Sequence, residues 1–190
     1  EKMLTDLVYG TLDSGSIIQK ASDFNINLIS HYYIVCVSEI HSKDSDVNLL
    51  ISAKSYIMSF VKDRTDIIGF FISPNTFVSI IKGSEKNSCE EDAFAVSDSL
   101  KHEVSKVSGI TVVTAIGSAV EHSANITKSF HDASDILKRS NFMDKNKIIS
   151  ANDIAKKEDS SIVLQENDPL VERLNYADES EIDHIIDEYI

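Results

Sequence analysis

The amino-acid sequence predicts an α+β fold, an antiparallel sheet with helices on one face and further helices flanking it. Three observations carry that reading. A nearly continuous apolar run, β-branched and aromatic, spans Tyr32–Ile40. Two short apolar runs, Ile67–Ile72 and Phe77–Ile81, are separated by Ser73-Pro74-Asn75-Thr76. Between and after these runs lie three segments whose apolar residues recur with helical spacing.

In chain order, the first helical segment is Ser16–Phe24, where Ile17, Ile18, Ala21 and Phe24 are expected to share a face behind the candidate caps Ser14 and Ser16. A polar turn, Asn25–Ser30, leads into Tyr32–Ile40, which reads as a central strand buried on both faces. Asp44–Asp46 then caps a long helix whose stripe is predicted to be Val47, Leu50, Ile51, Ile57, Met58 and Val61. The Pro- and Asn-containing connection at Ser73–Thr76 is a hairpin signal, and Gly83 closes its second strand. A helix from about Glu90 to Val107 turns Ala93, Val96, Leu100, Val104 and Val107 inward, and Gly109 ends it. Ile110–Ile116 is a β-branched strand. Ser123 or Asn125 opens a third helix with Ile126, Phe130, Ala133 and Leu137 inward, and Asn146–Ser150 is a short edge strand. The order after the leading helix, β-α-β-β-α-β-α-β, is that of a ferredoxin-like or nucleotide-cyclase-like sheet.

From Asp153 the texture changes. A polar stretch leads past Pro169 to a last amphipathic segment, in which Ile182, Ile185, Ile186, Tyr189 and Ile190 fall at i, i+3, i+4, i+7 and i+8. Such a stripe packs on something, and Ile182, Ile185, Ile186 and Tyr189 are the candidate partner interface. The expected organisation is flanking helices over 1–30, a core over 31–153 and a helical extension over 154–190. The first residue, Glu1, and the helical pattern running to Ile190 suggest a piece of a longer protein.

Composition excludes several classes of function. The chain has 190 residues with 2 Pro and 6 Gly, so no stretch reads as a low-complexity linker. No apolar run approaches the roughly 18 residues of a membrane span, and the charged N-terminus carries no secretory pattern. Two cysteines, Cys36 and Cys89, form neither a disulfide framework nor a zinc motif, which favours a reducing, cytoplasmic setting. Cys36 is expected to be buried. Cys89 is expected to be exposed in a polar loop, where neighbouring acids disfavour its thiolate. A net charge of −13 argues against direct nucleic-acid binding by this segment.

Four passages resemble the diguanylate cyclase (GGDEF) domain, and more closely the degenerate version between the receiver and DNA-binding helices of AraC-type response regulators. Tyr32–Ile40 resembles the first core strand, and Ile68–Gly83 the signature hairpin. Gly109–Gly117 is similar to the strand written G-[IV]-x-[VL]-[ST]-x-G-[IV]-[AG]. Ser129–Ala133 through Phe142–Ile149 resembles the closing S-Y-x-E-A and F-x-G-K-N-x-I motifs. An active cyclase of this family carries Gly-Gly-Asp-Glu-Phe in the hairpin and a metal-binding Asp at the end of the first strand. Here Ser73, Pro74, Asn75, Thr76 and Phe77 stand in the hairpin, and Glu39 and His41 are nearest the strand end.

The resemblance therefore implies no catalytic residue, no metal and no cofactor. Two-metal phosphoryl chemistry requires several carboxylate oxygens, and one Glu cannot supply them. The expected function is a non-catalytic, signal-transmitting and dimer-forming domain of an AraC-type regulator, with receiver and helix-turn-helix units elsewhere in the same chain. One alternative is a small-molecule or nucleotide sensor holding its ligand near Glu39, His41, Ser73, Asn75 and Thr76. Another is an active phosphotransfer enzyme with its metal site elsewhere. Each candidate also has a simpler reading. Glu39 and His41 stand where a buried strand meets solvent. Asp44-Ser45-Asp46 lacks the Gly and distal Glu of a calcium loop and fits helix capping better. His122 and His131 are too far apart along one helix to share a metal.

Overall fold

The computed structural model describes residues 2–62, 64–139 and 147–154. The terminal stripe and Phe142–Asn146 of the closing motif lie outside these residues. Glu1–Asp153 form one compact unit. Its elements in order are α1 (Lys2–Val8), α2 (Ile17–Asp23), β1 (Tyr32–Ser42), α3 (Val47–Val61), β2 (Ile67–Ser73), β3 (Thr76–Gly83), α4 (Lys86–Ser105), β4 (Ile110–Ile116), β5 (Val120–Glu121), α5 (Ile126–Arg139) and β6 (Ile148–Ser150).

The strands are ordered β2-β3-β1-β4-β6, with β5 paired to the start of β1. β1 is central, as its apolar run predicts: Tyr33 to Val37 and Ile40 are all buried. It pairs antiparallel with β3, Cys36 opposite Ser79, and with β4, Cys36 opposite Ile116.

Two expectations about the sheet are corrected. The sheet is mixed rather than antiparallel, because β6 runs parallel to β4, Ala115 opposite Ile149. α5 supplies the crossover that a parallel pair needs: it carries the chain back along the sheet before β6 begins. Helices also cover both faces rather than one. Alternation along β1 sends Ile34, Cys36 and Ile40 into a core with Ile57 and Val61 of α3 and Leu100 and Val104 of α4. The intervening residues face α5, whose Ser129 hydroxyl accepts a 2.9 Å hydrogen bond from the Val35 amide.

That last bond has a local cause. The β1–β4 and β1–β5 ladders differ in register by one residue, with Cys36 opposite Ile116 but Tyr33 opposite Val120. The extra residue near Gly117 interrupts the ladder, and the Ser129 side chain takes up the Val35 amide there. α5 approaches so closely that a Cβ on Gly117 would sit 2.0 Å from the Ser129 carbonyl oxygen. α1 docks on the same helix, with Thr127 Oγ1 donating to the Leu7 carbonyl at 3.0 Å and Tyr9 edge-on to Phe130.

Three helical expectations shift. In α2, Ile17 and Ala21 are buried but Ile18 and Phe24 are exposed, so the inward face of this short helix is narrower than its apolar pattern. In α3, the buried line is Ala53, Ile57 and Val61, with Leu50 half-buried; Val47, Ile51 and Met58 face outward. The small Ala53 lets α3 sit against the sheet, which rotates the larger aliphatics away. α4 begins at Lys86, earlier than its apolar pattern indicates, and this turns Cys89 inward one turn before Ala93. Cys89 is accordingly buried, not exposed. Gly109, at φ +87°, ends the α4 connection as expected.

Candidate functional site

The site is assembled where β1 ends beside the β2–β3 hairpin. Glu39 of β1 stands opposite Thr76 of β3, two residues before His41 and on the same face of the strand. The Glu39 carboxylate and the His41 ring nitrogen Nε2 are 3.7 Å apart, and both side chains are about one-third exposed, 29% and 37%.

The hairpin turn is tighter than the four-residue connection read from the sequence. Ser73 pairs with Thr76, leaving Pro74 and Asn75 as the turn. Neither turn residue has a positive φ, so the turn is not of the mirror-image type that usually closes two-residue hairpins. A register irregularity between Phe71 and Ser73 accommodates the mismatch.

The polar groups of the turn satisfy one another. Ser73 Oγ donates to Asn75 Oδ1 at 2.9 Å and lies 2.8 Å from Thr76 Oγ1. The Asn75 carbonyl accepts from the Ile40 amide at 2.8 Å, which extends the β1–β3 ladder to the hairpin tip. Phe77 is buried and packs on Phe71, ring centroids 5.1 Å apart, beneath α3. Ser73, Asn75 and Thr76 are thus together, and the tip is fastened to β1.

The predicted residues do not all face one space. Glu39 and Thr76 open on a cleft of about 360 Å³ beside α5, lined also by Tyr9, Phe130, His131 and Lys138. Ser73 instead borders a groove of about 480 Å³ on the α3 side, with Leu50, Phe71 and Pro74. Tyr9, Phe130, His131 and Lys138 were not legible as site residues, because they come from segments about a hundred residues from β1 or from before it. In the α5 cleft, Lys138 Nζ donates to Asp135 at 3.0 Å, and this contact holds the Asp135 carboxyl below its ordinary range. Lys138 is thereby already matched to a carboxylate.

At the loop after β1, Asp46 accepts from the Asn48 amide at 2.8 Å and caps α3, as expected of that acidic triplet. Among the described residues, no three His, Cys, Asp or Glu side chains come together as a metal site. The cysteines are also chemically quiet. Burial pushes the Cys36 thiol up to about 12. It pushes Cys89 up to about 11, with Asp92 and Glu90 adding to the effect. Burial, more than the neighbouring acids, therefore disfavours the Cys89 thiolate.

Comparison with known proteins then fixes the family. A family model described as GGDEF-like domain matches residues 9–138 of the 190. The chain belongs to the GGDEF-like domain family. No curated protein sequence matches it. Among solved structures it is similar to the active GGEEF domain of a diguanylate cyclase from Vibrio cholerae, at 11% identity and a TM-score of 0.49, over 78% of this chain and 94% of that one.

The magnesium ions of GGDEF cyclases can be tested against these donors. The strand end and hairpin offer the Glu39 carboxylate, a His ring, two hydroxyls and one amide, with the hairpin groups already bonded to each other. Magnesium binds through hard oxygen donors and usually takes carboxylates together with substrate phosphates. This donor set does not fit a pair of such ions.

Proposed function

We propose that this GGDEF-like domain is catalytically silent and acts as a regulatory, dimer-forming module of a bacterial AraC-type transcription regulator. The observation that carries the reading is the closed hydrogen-bond set at the hairpin, where Ser73, Asn75 and Thr76 satisfy one another at the place an active family member presents its acidic pair. Two-metal phosphoryl transfer depends on carboxylates that hold the ions on the attacking and leaving oxygens. Glu39 alone supports no such clamp. In this reading the domain is cytoplasmic and transmits an input by shifting between arrangements that space two DNA-binding units differently. A receiver and a helix-turn-helix unit elsewhere in the parent chain complete that scheme. The acidic surface, at net −13, supports leaving DNA contact to those other units.

The test is incubation of the purified protein with GTP or ATP and Mg²⁺ or Mn²⁺, followed by chromatography for cyclic nucleotide or pyrophosphate. No product above the protein-free control is expected. Turnover that disappears in Glu39→Gln would overturn the reading.

The cleft beside α5 favours a second reading, a small-molecule sensor at the same strand end. Its volume, about 360 Å³, is in the range of ligand pockets, and it combines an aromatic wall with the Glu39 carboxylate and the Thr76 hydroxyl. Calorimetric titration with GTP, ATP and cyclic dinucleotides decides it. Saturable heat lost in Thr76→Val supports the sensor, and flat titrations count against it.

A further inference from the structure

The cleft beside α5 is chemically lopsided. Much of its lining is apolar: Val37, Phe130 and Leu137 are buried, and Ile72 borders them. Tyr9, half-exposed, stands edge-on to Phe130 with ring centroids 5.2 Å apart, and the His131 ring lies 5.9 Å from that of Phe130. Into this aliphatic and aromatic lining Glu39 brings a carboxylate, and Thr76 and Ser134 bring hydroxyls.

The charges around the cleft are unequally matched. Lys138 is the one Lys or Arg of the described lining, and Asp135 holds its ammonium at 3.0 Å. Among the described residues, the Glu39 carboxylate has its ion-pair contact with His41 Nε2, at 3.7 Å, longer than a hydrogen bond. His41 itself does not line the cleft. A carboxylate placed this way, in a chain of net charge −13, repels phosphates and carboxylates and draws cations. A hydrated inorganic ion gains nothing from the apolar walls. A protonated amine on an apolar body uses both parts of the cleft: its ammonium meets the carboxylate and an aromatic face, and its body meets Val37, Ile72 and Leu137.

We propose that the α5 cleft binds a small organic cation, a protonated amine with an apolar body, held by Glu39 at its ammonium group and walled by Tyr9 and Phe130. A volume of about 360 Å³ suits such a molecule. The inference rests on the cleft of the sensor reading but changes the class of ligand. The several negative charges of a nucleotide's phosphates would face Glu39 there, with Lys138 already paired to Asp135. Flat titrations with nucleotides therefore leave the inference standing.

Calorimetry on the full chain tests it with three probes of similar shape: 2-phenylethylamine, a cation at neutral pH, 2-phenylethanol, which is uncharged, and phenylacetate, an anion. Saturable heat is expected with the amine, binding about tenfold or more weaker with the alcohol, and none with phenylacetate. Glu39→Gln should weaken the amine about tenfold and leave the alcohol unchanged, with an unaltered circular dichroism spectrum because the side chain is partly exposed. Added salt should weaken the amine alone. Equal affinity for amine and alcohol, or an amine affinity that Glu39→Gln does not change, would overturn the cationic ligand while leaving the sensor cleft standing. No heat with any of the three probes would also overturn it. The sensor reading would survive that result if a nucleotide then gave saturable heat lost in Thr76→Val, and would fall with it if nucleotides were flat as well. Neither outcome touches the prediction of catalytic silence.

Discussion

The two faces of the sheet are covered in different ways. On one, α5 lies almost against the backbone, with Gly117 and Ser129 in contact and the Val35 amide bound to a helix side chain. On the other, α3 and α4 stand off on a broad apolar layer that also holds both cysteines and a buried hydroxyl pair, Ser38 and Thr114, 2.8 Å apart. The first face is set by closeness of backbone, the second by side-chain volume. Substitutions that add atoms should therefore be felt most under α5. Those that remove or unpair polar groups should be felt under α3 and α4.

The largest expected effect is at Gly117. Gly117→Ala drives a methyl group into the Ser129 carbonyl, where nothing flexible can yield. It should lower stability by about 3 kcal/mol, at the upper end of ordinary overpacking. An unchanged urea midpoint would break the comparison.

The opposite face gives a pH-dependent counterpart. The Cys36 and Cys89 thiols stay protonated in the folded protein to about 12 and about 11, above their ordinary 9.0. Because folding raises these values, their contribution is fully retained below pH 9. It is lost as pH rises from 9 towards 11 and beyond, since only the unfolded chain then releases the protons. Together they should cost about 3 kcal/mol by pH 10. The double variant Cys36→Ala and Cys89→Ala should flatten the stability profile over that interval, and an equally steep profile would show that other groups control it.

Ser38→Ala leaves the Thr114 hydroxyl buried with its partner gone and should cost about 1.5 kcal/mol, whereas Ser38→Ala with Thr114→Val should cost much less than the sum of the singles. Additive losses in that cycle would mean the two hydroxyls do not depend on each other. The smallest effect belongs to the outside of the same layer. Ile51→Ser, at an exposed position, should change unfolding free energy by no more than about 0.5 kcal/mol when measured on the monomer at low concentration.

The same contrast explains what could be read before the structure. β1, the hairpin and the inward faces of α4 and α5 were legible because burial leaves a repeating apolar signal along a single element. The direction of β6 and the placement of α5 on the second face were not, since both depend on the path of a crossover and not on any one segment. The burial of Cys89 is not legible because Lys86, Asn87 and Ser88, just before it, are polar and hide the first turn of α4. In α3, large aliphatics outnumber the small Ala53 that points inward, so the louder pattern marked the wrong side. At the candidate site, the absence of hairpin acids was visible residue by residue. The cleft beside α5 was not, because its lining converges from β1, the hairpin, α5 and the segment after α1.

The central place of β1 also orders events during synthesis. Its two main neighbours, β3 and β4, come from later in the chain, Cys36 pairing with Ser79 and with Ile116. As the chain leaves the ribosome, the most apolar strand emerges first and must wait, with both edges open, for more than forty residues before β3 can pair with it, and for still longer before β4 can. Until then only the β2–β3 hairpin can close locally. A nascent chain that has emerged from the ribosome past Gly83 but not yet as far as Ile110 would therefore display β1 with one edge unpaired, a state open to chaperone capture or aggregation.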